Sequence, residues 1–390
     1  MNNISIFLPK DTAFYRRLYS HLSKAFLQAG FSVSGLCRFL DNQEMSDWVK
    51  SYRPKFIFEM NRVKNEIPVL HELKIPHITW IVDFQGRNEH SILGSDITYF
   101  FDSGWDDNYS TGGFQDWLPP GTCVDTYRPI DEYLPTIEFS FIGHIPLPWR
   151  QAELNRPIIG EGAVDTGMLF GELLEIFNRR MDEISYFGQT HASLLDIIDN
   201  IVFQRSGLHA ELTLDMRYDL LERVKRVKNR TQIIALPLSK TRSVAIYGSE
   251  HWRAWPEYQG YYRYYIDDPA ELNRLHQTSR FNLHDGVGFH FRAIDCMASG
   301  GLLCWYNENS GDKYNRLGLD PHKRRGLHSF FDNSRHYVEF LWHQFDEAYA
   351  HALALDYRHG KQRLETIDLI RQNHTWRHRV EKIVRDFNAL

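Results

Sequence analysis

The stretch from Phe281 to Asp312, FNLHDGVGFHFRAIDCMASGGLLCWYNENSGD, carries the densest set of groups able to do chemistry. A buried strand ending at Leu283 runs into a loop holding Gly286 and Gly288, and a helix starts near His290 and stops at Gly300 and Gly301. Such a loop aims free backbone N–H groups and the positive end of the helix at whatever lies over it, which suits a phosphate. Arg292 and His290 would add positive charge to the same site, and Asp295 lies one turn further in, where a carboxylate can accept hydrogen bonds from ribose hydroxyls. Read alone, the stretch fits a tight turn and a solvated helix residue equally well.

The elements that must hold these groups follow from strand and helix alternation. Ile4 to Leu8 reads as a buried strand, and Tyr15 to Gly30 has apolar residues at helical spacing. The pattern continues with a strand at Phe31 to Leu36, a helix at Gln43 to Tyr52 and a strand at Lys55 to Met60. A helix at Glu66 to Leu73 and strands at His77 to Val82 and Ile97 to Phe101 complete it. This series predicts a parallel doubly wound α/β sheet. Ligands of such sheets bind beyond the carboxyl ends of the strands, here Pro9 to Phe14, Glu59 to Arg62, Asp83 to Arg87 and Phe101 to Trp105. Leu118 to Thr136, with prolines at 119, 120, 129 and 135, reads as an interdomain linker. Further strands are expected at Glu138 to His144, Thr231 to Ala235, Ser243 to Tyr247, Phe281 to Leu283 and Gly301 to Trp305. Helices are expected at Met168 to Ile184, Leu212 to Arg226, Pro269 to Gln277 and Phe291 to Ala298, and the tail from Arg335 to Leu390 reads as helical. A second α/β domain is the economical interpretation.

Composition bounds the function. With 390 residues, 43% hydrophobic and 24% charged, the chain is globular, and its formal charge of −5 gives no global field for nucleic acid. Four cysteines without a C-x-x-C pair argue against a disulfide scaffold. The N-terminal MNNISIFLPKD is too short in apolar residues for a signal-peptide core, and no stretch approaches the roughly 20 apolar residues of a membrane span. A cytoplasmic protein is expected, with peripheral membrane contact left open. Aromatic residues reach 14% and crowd into Tyr247 to Tyr265, which suits stacking on a sugar or base as well as ordinary packing. His374 and His378 have i, i+4 spacing but lack the acidic partner of a zinc helix. RVKRVKNR, Arg223 to Arg230, reads as a solvated helix face, and Cys296 and Cys304 read as small packing groups.

Several landmarks together resemble a family. The order strand, loop, H-x-R-A-I-D-x-M-A-S-G-G, strand is similar to the R-x-F-E-A-x-A-C-G-G pattern of glycosyltransferases with the two-domain GT-B fold, especially their CgeB-like branch. HITWIVDFQ, LPPGTCVDTYRP, EFSFIGHIPLPWR, SVAIYGSEHW with the following YQGY, and the closing HTWRHRVEKIV resemble that branch's other landmarks in order. The resemblance implies two Rossmann-like domains facing across a cleft. The first would be residues 1–130, completed by a C-terminal helix at 374–390, and the second residues 137–373, carrying the nucleotide-sugar donor. Asp295 matches the acid that holds the donor ribose. Gly286, Gly288, His290 and Arg292 match the segment facing the diphosphate. Gly143 and Arg150, seven residues apart, match the strand end and basic residue that neutralise donor phosphates, and Tyr247 and Gly248 match the strand end near the base. Where many retaining members carry Glu, eight residues before the ribose acid, this chain has Val287, so retention or inversion stays open.

The chemistry so implied is transfer of a sugar to a hydroxyl of a glycan, protein or lipid-linked acceptor. The leaving diphosphate needs charge stabilisation from a metal or from fixed cations and dipoles. With no D-x-D in the chain, Arg150, Arg292 and a helix N-terminus are the expected source, with no metal and no cofactor beyond the donor. Asp83 at a strand end is the expected base, His290 the second candidate catalytic residue, and Glu59 with Asn61 lie on the acceptor side. A catalytically silent binding or assembly protein of the same shape, and a nucleotide-sugar epimerase or hydrolase, are the alternatives.

Overall fold

The computed structural model describes residues 2–83, 89–184, 191–286, 288–307 and 325–390; Val287 therefore lies outside the described residues, as does the rest of the Asn307 to Asp312 tract after its first residue. Two parallel sheets organise the chain. The first holds β1 (Asn3–Phe7), β2 (Ser32–Leu36), β3 (Ile57–Met60), β4 (His77–Ile81), β5 (Ile97–Phe100) and β6 (Phe114–Trp117), in the order β2-β1-β3-β4-β5-β6 among the described residues. Helices α1 (Ala13–Gln28), α2 (Asn42–Tyr52), α3 (Val69–Glu72) and α4 (Ser103–Asn108) connect them. The strands β3, β4 and β5 are buried at every position, because their apolar runs are covered on both faces.

The second sheet holds β7 (Ile137–Ile142), β10 (Val244–Tyr247), β11 (Ser279–Asp285), β12 (Leu303–Tyr306) and β13 (Val338–Phe340), in the order β10-β7-β11-β12-β13. Each sheet reverses its strand order once, between β1 and β3 and between β7 and β11. Both are Rossmann-like doubly wound sheets, as the alternation of elements leads one to expect.

The connection from β7 to β10 is long. It comprises α5 (Gln151–Leu154), a hairpin of β8 (Pro157–Gly160) and β9 (Val164–Leu169), α6 (Phe170–Ile184), α7 (His191–Ser206), α8 (Leu214–Tyr218) and α9 (Val224–Leu238). These elements pack on a core of their own, including Phe170, Phe177, Ile198 and Leu220, each fully buried. The strand expected at Thr231 to Ala235 is instead part of α9, where Ile233 and Ile234 are buried. A short apolar run with no alternation fits a buried helix as well as a strand, and here the helix wins. The tail likewise opens with the edge strand β13 before its helices begin.

After β11 come α11 (Phe291–Ala298), preceded by α10 (Pro269–Thr278), and then α12 (Phe345–Ala354), α13 (Lys361–Asn373) and α14 (Trp376–Asn388). The last helix crosses back: Trp376, Val380 and Ile383 join the core of the first sheet beside Ile4, Phe56 and Ile78. The Tyr99 hydroxyl donates to Asp386 at 2.9 Å, and Lys382 pairs with the same carboxylate at 2.7 Å.

Glu59 does not serve the acceptor side. Its side chain is fully buried, and it accepts from Arg62 Nε at 2.7 Å and lies 3.2 Å from His77 Nε2. Burial works against its charge, but Arg62 and His77 together outweigh that and hold the carboxyl below its usual range. A depressed folded pKa contributes stability that is present above the unfolded carboxylate value and is lost as pH falls through the folded one. Glu59→Gln leaves Arg62 buried without its counter-ion. It should cost about 3–5 kcal/mol in urea unfolding at pH 7, with the gap to wild type narrowing in acid. An unchanged unfolding midpoint at pH 7 would remove this network from the fold's support.

Candidate functional site

A cavity of about 420 Å³ opens where the carboxyl ends of β7 and β10 meet α1 of the first sheet. Its second-domain wall is Ile142, Gly143, His144, Gly248, Ser249, Arg292 and Asp295. Its first-domain wall is Phe14, Arg17, Leu18 and His21, and the linker supplies Gly121, Cys123 and Tyr127. A second cavity of about 490 Å³ lies at the opposite edge, at the starts of β7, β11 and β12, between Leu134 to Thr136 and Asp356 to His359. Doubly wound sheets bind ligands beyond their carboxyl ends, so the first cavity is the candidate site.

The strand ends come together because two glycines allow it. Gly248 has φ +131, and a side-chain carbon there would lie 2.2 Å from the Gly143 carbonyl oxygen. Gly143 N–H donates to the Tyr247 carbonyl at 2.9 Å, and Tyr262 holds Gly248 by a 3.1 Å bond to its carbonyl. Tyr247 itself is buried under Tyr264, ring centroids 5.4 Å apart, and is not on the cavity wall.

Arg292 donates to the Ile142 carbonyl, and burial brings its guanidinium down to about 10, so it stays charged at neutral pH. Asp295 accepts from Thr122 Oγ1 at 2.6 Å. Burial pushes its carboxyl up to about 8, helped by the neighbouring Cys123 and opposed by the hydroxyls of Thr122 and Tyr127. A carboxyl that is mostly protonated keeps an accepting oxygen and gains a donor, so it can still meet a diol. His144 bonds Ser249 Oγ at 2.9 Å, and burial with His251, Arg226 and Arg230 nearby lowers it to about 4. From the first domain, Arg17 reaches across the cleft to the Asp267 carbonyl at 2.8 Å.

Several residues singled out from the sequence sit elsewhere. His290 caps α11, its Nδ1 accepting from Arg292 N–H at 3.2 Å, and its ring packs against Phe101 and Phe291. Burial, with Arg292, His284 and Arg230 close by, holds it well below its ordinary value. It therefore adds no positive charge, and it occupies one of the helix amides expected to face a phosphate. Gly286 and Gly288 fold onto β12: Trp305 Nε1 donates to the Gly286 carbonyl at 2.9 Å, and a side-chain carbon at Gly288 would lie 2.6 Å from that indole. Neither lines the cavity. Arg150 is 80% exposed, pairs with Glu153 at 3.3 Å and is also off the wall. The arginine beside the β7 end is Arg230, whose Nε donates to the His144 carbonyl at 2.9 Å. It comes from the basic run read as a solvated face.

Asp83 and Asn61 are joined, Asn61 Nδ2 donating to Asp83 at 3.0 Å, while Asn61 Oδ1 accepts from the amides of Val82 and Asp83 at 2.7 and 2.9 Å. Asn61 has φ +64, a region asparagine tolerates, and its side chain ties the end of β3 to the end of β4. Asp83 is exposed at the end of β4 and is not on the cavity wall. The residues that sequence reasoning missed are Arg17, His21 and Cys123. Their signal was position: α1 starts at the carboxyl end of β1, and Cys123 lies in the proline-rich crossing between domains. Among the described residues no three or more His, Cys, Asp or Glu side chains group where a metal ion could be held, and no helix is long and apolar enough to cross a membrane.

No protein-family profile and no curated protein matches the sequence. Solved structures do match along its whole length. Sucrose-phosphate synthase from Thermosynechococcus elongatus covers 100% of this chain and 99% of its own at 9% identity, with a TM-score of 0.57. An alpha-glucosyltransferase solved with UDP and a 13-mer DNA containing a central A:G mismatch covers 99% of both chains at 10% identity, with a TM-score of 0.54. At such identity the likeness is one of fold: the chain has the two Rossmann-like domains of the GT-B architecture.

Proposed function

We propose that this chain is a cytoplasmic glycosyltransferase of the CgeB-like kind. It moves a sugar from a nucleotide-sugar donor to a hydroxyl of a glycan, protein or lipid-linked acceptor, without a metal. The observation that carries this reading is the cavity itself, which joins the carboxyl ends of β7 and β10, a charged Arg292 and a half-buried Asp295 to a wall from the other domain. The fold shared with a sucrose-phosphate synthase and with an alpha-glucosyltransferase holding UDP supports the donor class.

In this reading Asp295 takes the ribose hydroxyls, and Arg292, with Arg17 across the cleft, offsets the charge that develops on the leaving diphosphate. Fixed cations in a partly dry site do this without reorganising at the moment of bond breaking. Asp83, held by Asn61, accepts the proton of the attacking hydroxyl. His290 and Arg150 have no part in the transfer.

The first test is a thermal-shift panel with UDP, GDP, CMP, TDP and their sugar conjugates. A nucleotide at 100 times its dissociation constant should stabilise the fold by about 2.7 kcal/mol, and a panel with no shift would count against the donor site. By calorimetry, Asp295→Ala should weaken the responding nucleotide by about 1–3 kcal/mol, roughly 5- to 150-fold; equal affinity would take Asp295 out of the ribose contact. Asp83→Asn should lower turnover by about 100-fold or more with donor affinity intact, and full activity in that variant would dismiss it as the base. In the same assay EDTA should leave the initial rate unchanged, whereas a rate abolished by EDTA and restored by magnesium or manganese would overturn metal-free transfer.

A further inference from the structure

We propose that Cys123 and His21 form a nucleophilic thiol–imidazole pair in the wall of the cleft, a modification site for low-molecular-weight disulfides and soft electrophiles whose occupation excludes nucleotide. The two side chains come from different elements, His21 from α1 and Cys123 from the linker, and both line the 420 Å³ cavity. On that shared wall the imidazole acts on the thiol and favours its charged form. Its plane lies 9° from the Trp376 indole at a centroid distance of 6.3 Å, which fixes the ring's orientation. Thr126 Oγ1 donates a hydrogen bond to the sulfur at 3.4 Å.

The other cysteines have no such setting. Cys296 and Cys304 are buried in the second domain, and burial pushes both thiols upward. Cys37 is half-buried, and burial together with Asp11 raises it. At Cys123 burial also opposes the charge, but His21 and Thr126 prevail and bring the thiol down to about 6. The charged and titratable groups around it are Arg17, His21 and Lys24 from α1, Asp125 and Tyr127 from the linker, and Asp295 from α11. Burial holds Asp295 toward its protonated form, and Cys123 adds to that effect.

The reaction balances simply. The Cys123 thiolate attacks one sulfur of a small disulfide, a new S–S bond forms as the old one breaks, and the displaced thiolate leaves and takes a proton from water. The small disulfide is the oxidant consumed. An alkylating electrophile instead forms a C–S bond and releases its halide. A mixed disulfide on Cys123 would stand in the cavity that also holds Asp295, and the exclusion of nucleotide rests on the donor-site reading given above.

The test labels the native protein with iodoacetamide and follows each cysteine by peptide mass spectrometry. At pH 7 a thiol titrating near 6 is about nine-tenths thiolate, and after its weaker intrinsic nucleophilicity is allowed for, Cys123 should still react about tenfold faster than Cys37. Its rate should stay nearly flat from pH 7 to 9, and His21→Gln, with folding verified by circular dichroism, should restore a rate that climbs with pH. Equal rates at Cys123 and Cys37, or a Cys123 rate that rises about tenfold per pH unit over that range in the wild type, would overturn the pair. Calorimetry with UDP is run on untreated protein and on protein treated with 2-hydroxyethyl disulfide. Binding that is lost on treatment and kept in a treated Cys123→Ser variant supports exclusion, while equal binding before and after modification of Cys123 overturns it. If untreated protein binds no nucleotide, the donor-site reading fails by itself and the labelling selectivity still decides the pair.

Discussion

The two segments of chain that pass between the sheets lie directly against one another, and the cleft is built on that contact. Thr122 N–H donates to the His374 carbonyl at 3.0 Å, and Arg379 Nε reaches the Pro120 carbonyl at 3.2 Å. At Gly121 a side-chain carbon would lie 2.6 Å from the Trp376 amide, so only glycine lets the crossings close up. From the same point Thr122 bonds Asp295 and Trp376 packs on His21. The relative placement of α1, the linker and α11 is therefore set by backbone packing at one junction. Side chains that line the cavity inherit their positions from it.

That junction also explains the electrostatics of the cavity. Closing it removes water from Asp295 and Arg292 together, which is why one carboxyl rises and one guanidinium falls. The cost is limited because hydroxyls of Thr122 and Tyr127 face the carboxyl and the Ile142 carbonyl faces the guanidinium. A partly dry cavity with a fixed cation strengthens any contact to a charged ligand compared with the same groups in water.

Most of the architecture was legible in the sequence because buried parallel strands announce themselves as apolar runs, as in FIFEM and HITWI, and because glycines and prolines mark the turns. What escaped were strands whose patterns are weak. FQDW of β6 is a half-polar strand on the sheet's edge, and VEF of β13 is three residues inside a helical tail. The site was harder. The helix start after β11 pointed to Arg292 and Asp295, and the family resemblance to Gly143 and Gly248, and all four line the cavity. Sequence reasoning misjudged Glu59 and His290, because whether a polar group at a strand end turns outward or is claimed by Arg62, His77 or a helix amide depends on neighbours distant in the chain. It missed Arg17 and His21 for a related reason: they sit one stripe away from the buried face of α1, and only the second domain gives that stripe a meaning.

The return of α14 to the first sheet has a consequence for how the molecule is made. Synthesis runs from the N-terminus, so all strands of the first sheet emerge long before Trp376, Val380 and Ile383 exist to cover the apolar stripe beside Phe26 and Phe56. Until α14 has emerged, that stripe is open to water and to other chains, and the first domain stays unfinished while the second is translated. The chain thus folds as a closing circle, in which a helix made after the second domain completes the first.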